Sequence, residues 1–169
     1  VSKITNNTWG ERWSKLVVNC MVNPMAGITG LSSAEVRRNP ATRRILIRIA
    51  AESIRVGMNH GFEVENINGI SAKSYLEADE NMGAAMKNVE TEMALRSSER
   101  GEGLPSMLQD LMKGRKTEIN YLNGYVVEKG SQIGMSTPVN HTIVDLLTSV
   151  EKGIINSSMD NLARLKKFN

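Results

Sequence analysis

Apolar residues at helical spacing, with almost nothing at strand spacing, set the fold class of this 169-residue chain. In the first long segment Trp9, Trp13, Leu16, Val17, Cys20 and Met21 fall at offsets of three, four, seven and eight, which gathers them on one face of a helix. The same period returns in Ile45, Leu46, Ile49, Ala50 and Ile54, then in Met86, Val89 and Met93, in Leu108, Leu111 and Met112, and in Ile143, Leu146, Leu147 and Val150. No alternating run of β-branched residues longer than three or four is bounded by turn residues. The chain therefore reads as all-α. At 40% hydrophobic it is long enough for one compact domain over residues 1–169 with a real core, and too short for two.

Start and stop signals divide the pattern. Thr8, with Glu11 three residues on, is a candidate capping box for a first helix running to about Asn23, where Pro24 ends or bends it. Gly27 and Gly30 then break up a loop or short helix, and Asn39 before Pro40 signals a second long helix whose end Gly57 and Gly61 bracket. A third helical region begins near Ser71, with a kink expected at Gly83, and the polar run Ser97 to Gly103 reads as an exposed loop. Ser106 and Gln109 form a second capping-box signature, the stretch Gly114 to Thr117 interrupts that helix, and Pro138 with Asn140 introduces another. The Lys-rich tail from Ser157 to Asn169 reads as a marginal terminal helix.

Beside the apolar face of the first helix, Lys15, Asn19 and Asn23 recur every four residues and form a polar line of one lysine and two amides. Solvated helix faces normally carry Glu, Lys, Arg and Gln, so two Asn in one row suggest amides placed to meet something. The structural alternative is that they cap or bridge neighbouring helices. A lysine beside two amides suits reduction of a ketone: as hydride reaches carbon, the oxygen becomes a strongly basic alkoxide and needs a proton donor, while the amides hold oxygens without adding charge. The spacing permits this chemistry without demanding it.

Other chemistries fare worse. Net charge is +3, from 21 basic and 18 acidic residues interspersed, and aromatic content is 4%, so neither a basic block nor a stacking platform for nucleic acid is present. No metal site is expected, because His60 and His141 stand far apart from each other and from spaced Cys or carboxylate partners. The sequence has no GxGxxG turn, P-loop or assembled Ser/His/Asp set. Single Cys20 excludes an internal disulfide, reads as a buried structural thiol and fits a reducing, cytoplasmic setting. No apolar run reaches the ~18 residues of a membrane span, and no signal peptide opens the chain. The first residue is Val, compatible with a piece cut from a longer protein.

The blocks WSKLVVNCMVNPMAGITGL (Trp13 to Leu31) and SMLQDLMKGRKTEINYLNGYV (Ser106 to Val126), followed by Gly134, Pro138 and Asn140, carry a family likeness. From about Trp9 to Gly153 the chain resembles, in the same order, the C-terminal helical domain of ketopantoate reductase, or 2-dehydropantoate 2-reductase. The resemblance implies a fold like the 6-phosphogluconate dehydrogenase C-terminal domain. It also implies NADPH-dependent reduction of 2-dehydropantoate to (R)-pantoate, on the way to pantothenate and coenzyme A, in a cleft shared with an N-terminal Rossmann domain.

Carried over by motif, Lys15 is the proton donor to the ketone oxygen, Asn19 and Asn23 hold substrate oxygens, Ser106 is a substrate-binding serine, and Glu118 contacts the cofactor. Ser33 stands where some members place a substrate-binding asparagine, and is taken as a substrate contact in its place. The stretch from Lys73 to Gly103 is longer and more polar than the family leads one to expect. The implied partners are a small 2-keto acid and the Rossmann domain, with a homodimer compatible, and neither nucleic acid nor membrane. Lacking its own dinucleotide fingerprint, the isolated chain is expected to hold half a pocket and to be inactive. The competing readings are a helical interaction or dimerisation module without chemistry and a paralogous reductase for another 2-keto acid.

Overall fold

A computed structural model describes residues 6–81, 83–97 and 103–168. Among the described residues there are eight α-helices and no strand, so the chain is all-α. In order these are α1 (Thr8–Thr29), α2 (Ser33–Arg38), α3 (Pro40–Asn59), α4 (Ala72–Glu80), α5 (Ala84–Arg96), α6 (Ser106–Met112), α7 (Asn123–Gln132) and α8 (Pro138–Glu151). Two 3-10 segments, Ile119–Tyr121 and Met159–Phe168, complete the set; the second occupies most of the tail expected to be a marginal helix.

Helices α1 and α3 form the central pair. Against α1 pack α2, α6, α8 and the terminal 3-10 segment, while α4 and α5 cover the other side of α3. Val17, Cys20, Met21 and Met25 of α1 meet Ile45, Leu46, Ile49 and Ile54 of α3 in one core that excludes water completely. Trp13 closes its upper edge: its Nε1 donates to the Ser53 carbonyl at 2.9 Å, and its ring lies against Phe62 and Tyr125, with centroids 5.1 and 6.1 Å away. A Cβ on Gly57 would collide with that indole, so glycine lets α3 approach it. Trp9 departs from the apolar set; it is 66% exposed, with the Arg12 guanidinium over its ring. The four-residue stagger from Trp13 rotates it just past the buried edge.

Several helix boundaries differ from the sequence reading. Asn7 caps α1, accepting from the Gly10 N–H at 3.1 Å, and Thr8 is already helical. Asn7 also donates to the Glu63 carbonyl and the Glu65 carboxylate, which ties the start of α1 to the stretch after α3. Helix α1 passes through Pro24 and Gly27 and stops at Gly30, whose φ of +77° and N–H to the Ala26 carbonyl make a left-handed cap. Ser33 is therefore the first residue of α2, with Ser32 and Glu35 closing the capping box there, and is not in a loop. The N-cap of α6 is Pro105, which has neither a side-chain acceptor nor an N–H, so Ser106 caps nothing and Gln109 bonds the Leu104 carbonyl instead. Asn39, Pro40 and Ser71 act as expected, and the region after Ser71 breaks fully between α4 and α5 at Gly83. Of the expected loop Ser97 to Gly103, residues 98–102 lie outside the described residues.

Candidate functional site

The polar line of α1 opens onto a cleft of about 590 Å³ lined by Glu11, Ser14, Lys15, Val18, Asn19, Glu65 and Asn66. One wall is α1 and the other is the extended stretch after α3. That stretch is fastened to the first turns of α1: Ser14 Oγ donates to the Gly10 carbonyl at 2.7 Å and accepts the Glu65 N–H at 2.8 Å, while Asn7 holds the Glu65 carboxylate at 3.0 Å. Lys15 is exposed in this cleft; Asn19 and Asn23 are half-buried. Among the described residues the side chains of Asn19 and Asn23 make no hydrogen bond and Lys15 no ion pair, so the core does not consume these groups.

Asn23 lies one turn further along, outside the Lys15 cleft, and the next position on the same line is Gly27. A Cβ there would stand 2.7 Å from Leu147 Cδ1, 3.0 Å from Leu111 Cδ1 and 3.9 Å from Met107 Cγ. The missing side chain thus admits α6 and α8, and it brings the start of α6, where exposed Ser106 adjoins Met107, to the far end of the line. Ser33 reaches the same end: its N–H meets the Gly103 carbonyl at 3.4 Å, three residues before Ser106. Glu118 heads the 3-10 turn Ile119–Tyr121, exposed and without a capping bond. Its neighbours fix it on both sides, since the Thr117 N–H donates to Glu151 at 2.7 Å and Asn123 reaches α1. The described structure therefore places Lys15 and Asn19 in one cleft, continues the line through Asn23, and packs α6 and α8 against Gly27 one turn further on; it brings neither Ser106 nor Ser33 into the Lys15 cleft. Glu118 stands apart from the cleft.

Buried polar groups lie behind the line. The Asn123 Nδ2 donates to the Cys20 carbonyl at 3.1 Å and to Asn140 Oδ1 at 2.9 Å. Asn140 Nδ2 donates to Glu52 Oε2 at 2.8 Å, and both Glu52 oxygens accept N–H groups from the first turn of α8, Val139 and Asn140, each at 2.9 Å. Burial pushes the Glu52 carboxyl above its ordinary value; the bonds from Asn140 and Val139 oppose the shift, and nearby Asp79 adds to it. Burial alone pushes the Cys20 thiol far up, which makes it a packing group and no nucleophile. No group of His, Cys, Asp and Glu among the described residues could hold a metal ion, and no helix there is long and apolar enough to cross a membrane.

Sequence reasoning missed Ser14, Glu65 and Asn66 as cleft walls, because Glu65 joins Ser14 across 51 residues and no period marks such a pairing. Asn123 and Asn140 had a faint signal, two asparagines inside otherwise apolar helical segments.

Residues 7–151 match the family described as ketopantoate reductase PanE/ApbA C terminal. The 2-dehydropantoate 2-reductase of Archaeoglobus fulgidus is 30% identical over 142 residues, 84% of this chain and 40% of the relative. That of Yersinia pestis is 29% identical over 139 residues, 82% and 38% of the two chains. Among solved structures, a PanE/ApbA family ketopantoate reductase from Ralstonia eutropha superposes with a TM-score of 0.67 at 22% identity, covering 88% of this chain and 43% of that one. D-mandelate dehydrogenase in a ternary complex with NADH and anilino(oxo)acetate gives 0.68 at 23%, covering 89% and 55%. Those two structures share the fold. The chain spans about two-fifths of the length of the curated relatives.

Proposed function

The chain belongs to the ketopantoate reductase C-terminal family, and from that premise we propose that it is the substrate-binding and catalytic half of a reductase converting 2-dehydropantoate to (R)-pantoate with NADPH, a step toward pantothenate and coenzyme A. One observation carries the reading. Lys15 and Asn19 line an open cleft, and they and Asn23 have polar ends that no described residue takes up. An interaction module that used the two amides to bridge helices would bond them inside the core, and here other asparagines do that work.

The chemistry follows from the positions. Lys15 Nζ donates a hydrogen bond to the ketone oxygen of the 2-keto acid and releases its proton as negative charge builds there. Asn19 Nδ2, in the same cleft, and Asn23 Nδ2, a turn beyond, donate to substrate oxygens without adding charge that would compete with the lysine. In this reading the hydroxyls of Ser106 and Ser33 bond further substrate oxygens, as the family likeness implies. The nicotinamide cofactor supplies the hydride. This chain's fit to it is confined to Glu118, whose exposed carboxylate can accept from sugar hydroxyls, since the sequence carries no glycine-rich turn to cradle a pyrophosphate.

Lys15→Ala in the complete reductase tests the assignment. Turnover is expected to fall ~10² to 10⁴-fold, the usual worth of a positioned proton donor, with the melting temperature unchanged. Near-parental turnover sinks the proton-donor role. The isolated chain is expected to oxidise no NADPH with 2-dehydropantoate, and steady oxidation by it alone would show that it is more than half a site.

A further inference from the structure

We infer that Asn123 is a positioning residue for the reaction, an inference that rests on reading the Lys15, Asn19 and Asn23 line as the site. Pro24 has no N–H, so the carbonyl of Cys20, four residues earlier, loses its helical donor in the middle of α1. Asn123 supplies that donor from α7, with Nδ2 at 3.1 Å. Cys20 stands between Asn19 and Asn23, so the tether is made within the line itself.

The amide that makes the tether is itself held. It donates to Asn140 Oδ1, and Asn140 donates to the Ile49 carbonyl at 3.3 Å and to Glu52, which clamps the start of α8. A chain of bonds from α3 through α8 and α7 thus ends on one carbonyl of α1. The arrangement has a cost: Asn123 Oδ1 is buried and has no hydrogen bond among the described residues. What the tether secures is the turn from Cys20 to Pro24, which carries Asn23: with no donor on the Cys20 carbonyl that turn opens more easily and Asn23 shifts against Lys15 and Asn19. A displacement of 1 Å between groups that hold and protonate one small substrate costs on the order of 10²-fold in rate.

Kinetics of the complete reductase with Asn123→Ala, with Pro24→Ala and with both changes tests this. Asn123→Ala is expected to lower kcat ten- to hundredfold, measured well below its melting temperature, with KM altered less than threefold. Pro24→Ala returns an N–H to the Cys20 carbonyl, so the double variant is expected to recover kcat to within threefold of the parent. Its melting temperature stays low, because Asn140 Oδ1 still lacks its donor. A lower melting temperature with kcat unchanged in Asn123→Ala would make the residue structural only and overturn the proposal, as would failure of Pro24→Ala to restore turnover. If Asn123→Ala alone does not fold, Asn123→Ser takes its place: a tenfold or greater loss of kcat that Pro24→Ala restores supports the proposal, and an unchanged kcat, or a loss that Pro24→Ala does not restore, overturns it. Lys15→Ala in the same series separates the two ideas, since full turnover in that variant removes the site reading whatever Asn123 does.

Discussion

Two pairs of asparagines make opposite use of the same side chain. Asn19 and Asn23 lie half-buried on α1 with no described partner, whereas Asn123 and Asn140 are completely buried and bonded to each other at 2.9 Å. A buried amide must be paired or lose a hydrogen bond's worth of free energy, so the second pair is committed to holding α1, α3, α7 and α8 together. An amide at the surface has water as an alternative partner and stays available to a ligand. The difference between a structural and a ligand-binding asparagine is therefore one of address within the fold. Residue type alone does not carry it.

Breaking the buried pair should have the larger effect on stability. Asn140→Ala removes donors from Glu52 and the Ile49 carbonyl and the acceptor from Asn123, and is expected to cost about 3 kcal/mol in urea denaturation. A loss below ~0.5 kcal/mol would show that these bonds do not carry the junction. Asn19→Ala should change stability by no more than ~0.5 kcal/mol, yet raise KM of the complete reductase about fivefold, one hydrogen bond's worth. The opposite result, a destabilised protein with KM intact, would erase the distinction between the pairs.

The smallest effect concerns pH. Burial raises the folded-state Glu52 carboxyl above its ordinary value, so the folded protein keeps that proton to higher pH than the unfolded chain does. Its contribution to stability is greatest below the unfolded value of about 4.3 and is lost as pH rises through the folded one. Glu52→Gln should remove that downward slope from a plot of unfolding free energy against pH. A slope unchanged in the variant would assign the proton uptake elsewhere.

How legible each part was depended on the range of the force that fixes it. Caps set by adjacent residues, such as Asn39 with Pro40, could be read directly, because the bond from Asn39 to the Ala41 N–H spans two residues. Pro24 was read as an end or bend, and the helix continues because a side chain about a hundred residues away replaces the missing donor. Ser106 was legible as the start of α6 and not as a non-capping residue, since that depended on Pro105 taking the cap. The row of Lys15, Asn19 and Asn23 was visible as a line from periodicity, but its freedom from partners was not.

By itself the sequence determined the all-α class, the buried face of α1 and the family, because helical period and short motifs are local properties of the chain. Only the tertiary structure decided that the extended stretch after α3 makes the second wall beside Lys15, and that Asn123 bridges the break at Pro24. The physical reason is the same in both cases. Hydrogen bonds between residues 51 and 103 positions apart leave no period in the sequence, and they form only once the core has brought their helices together.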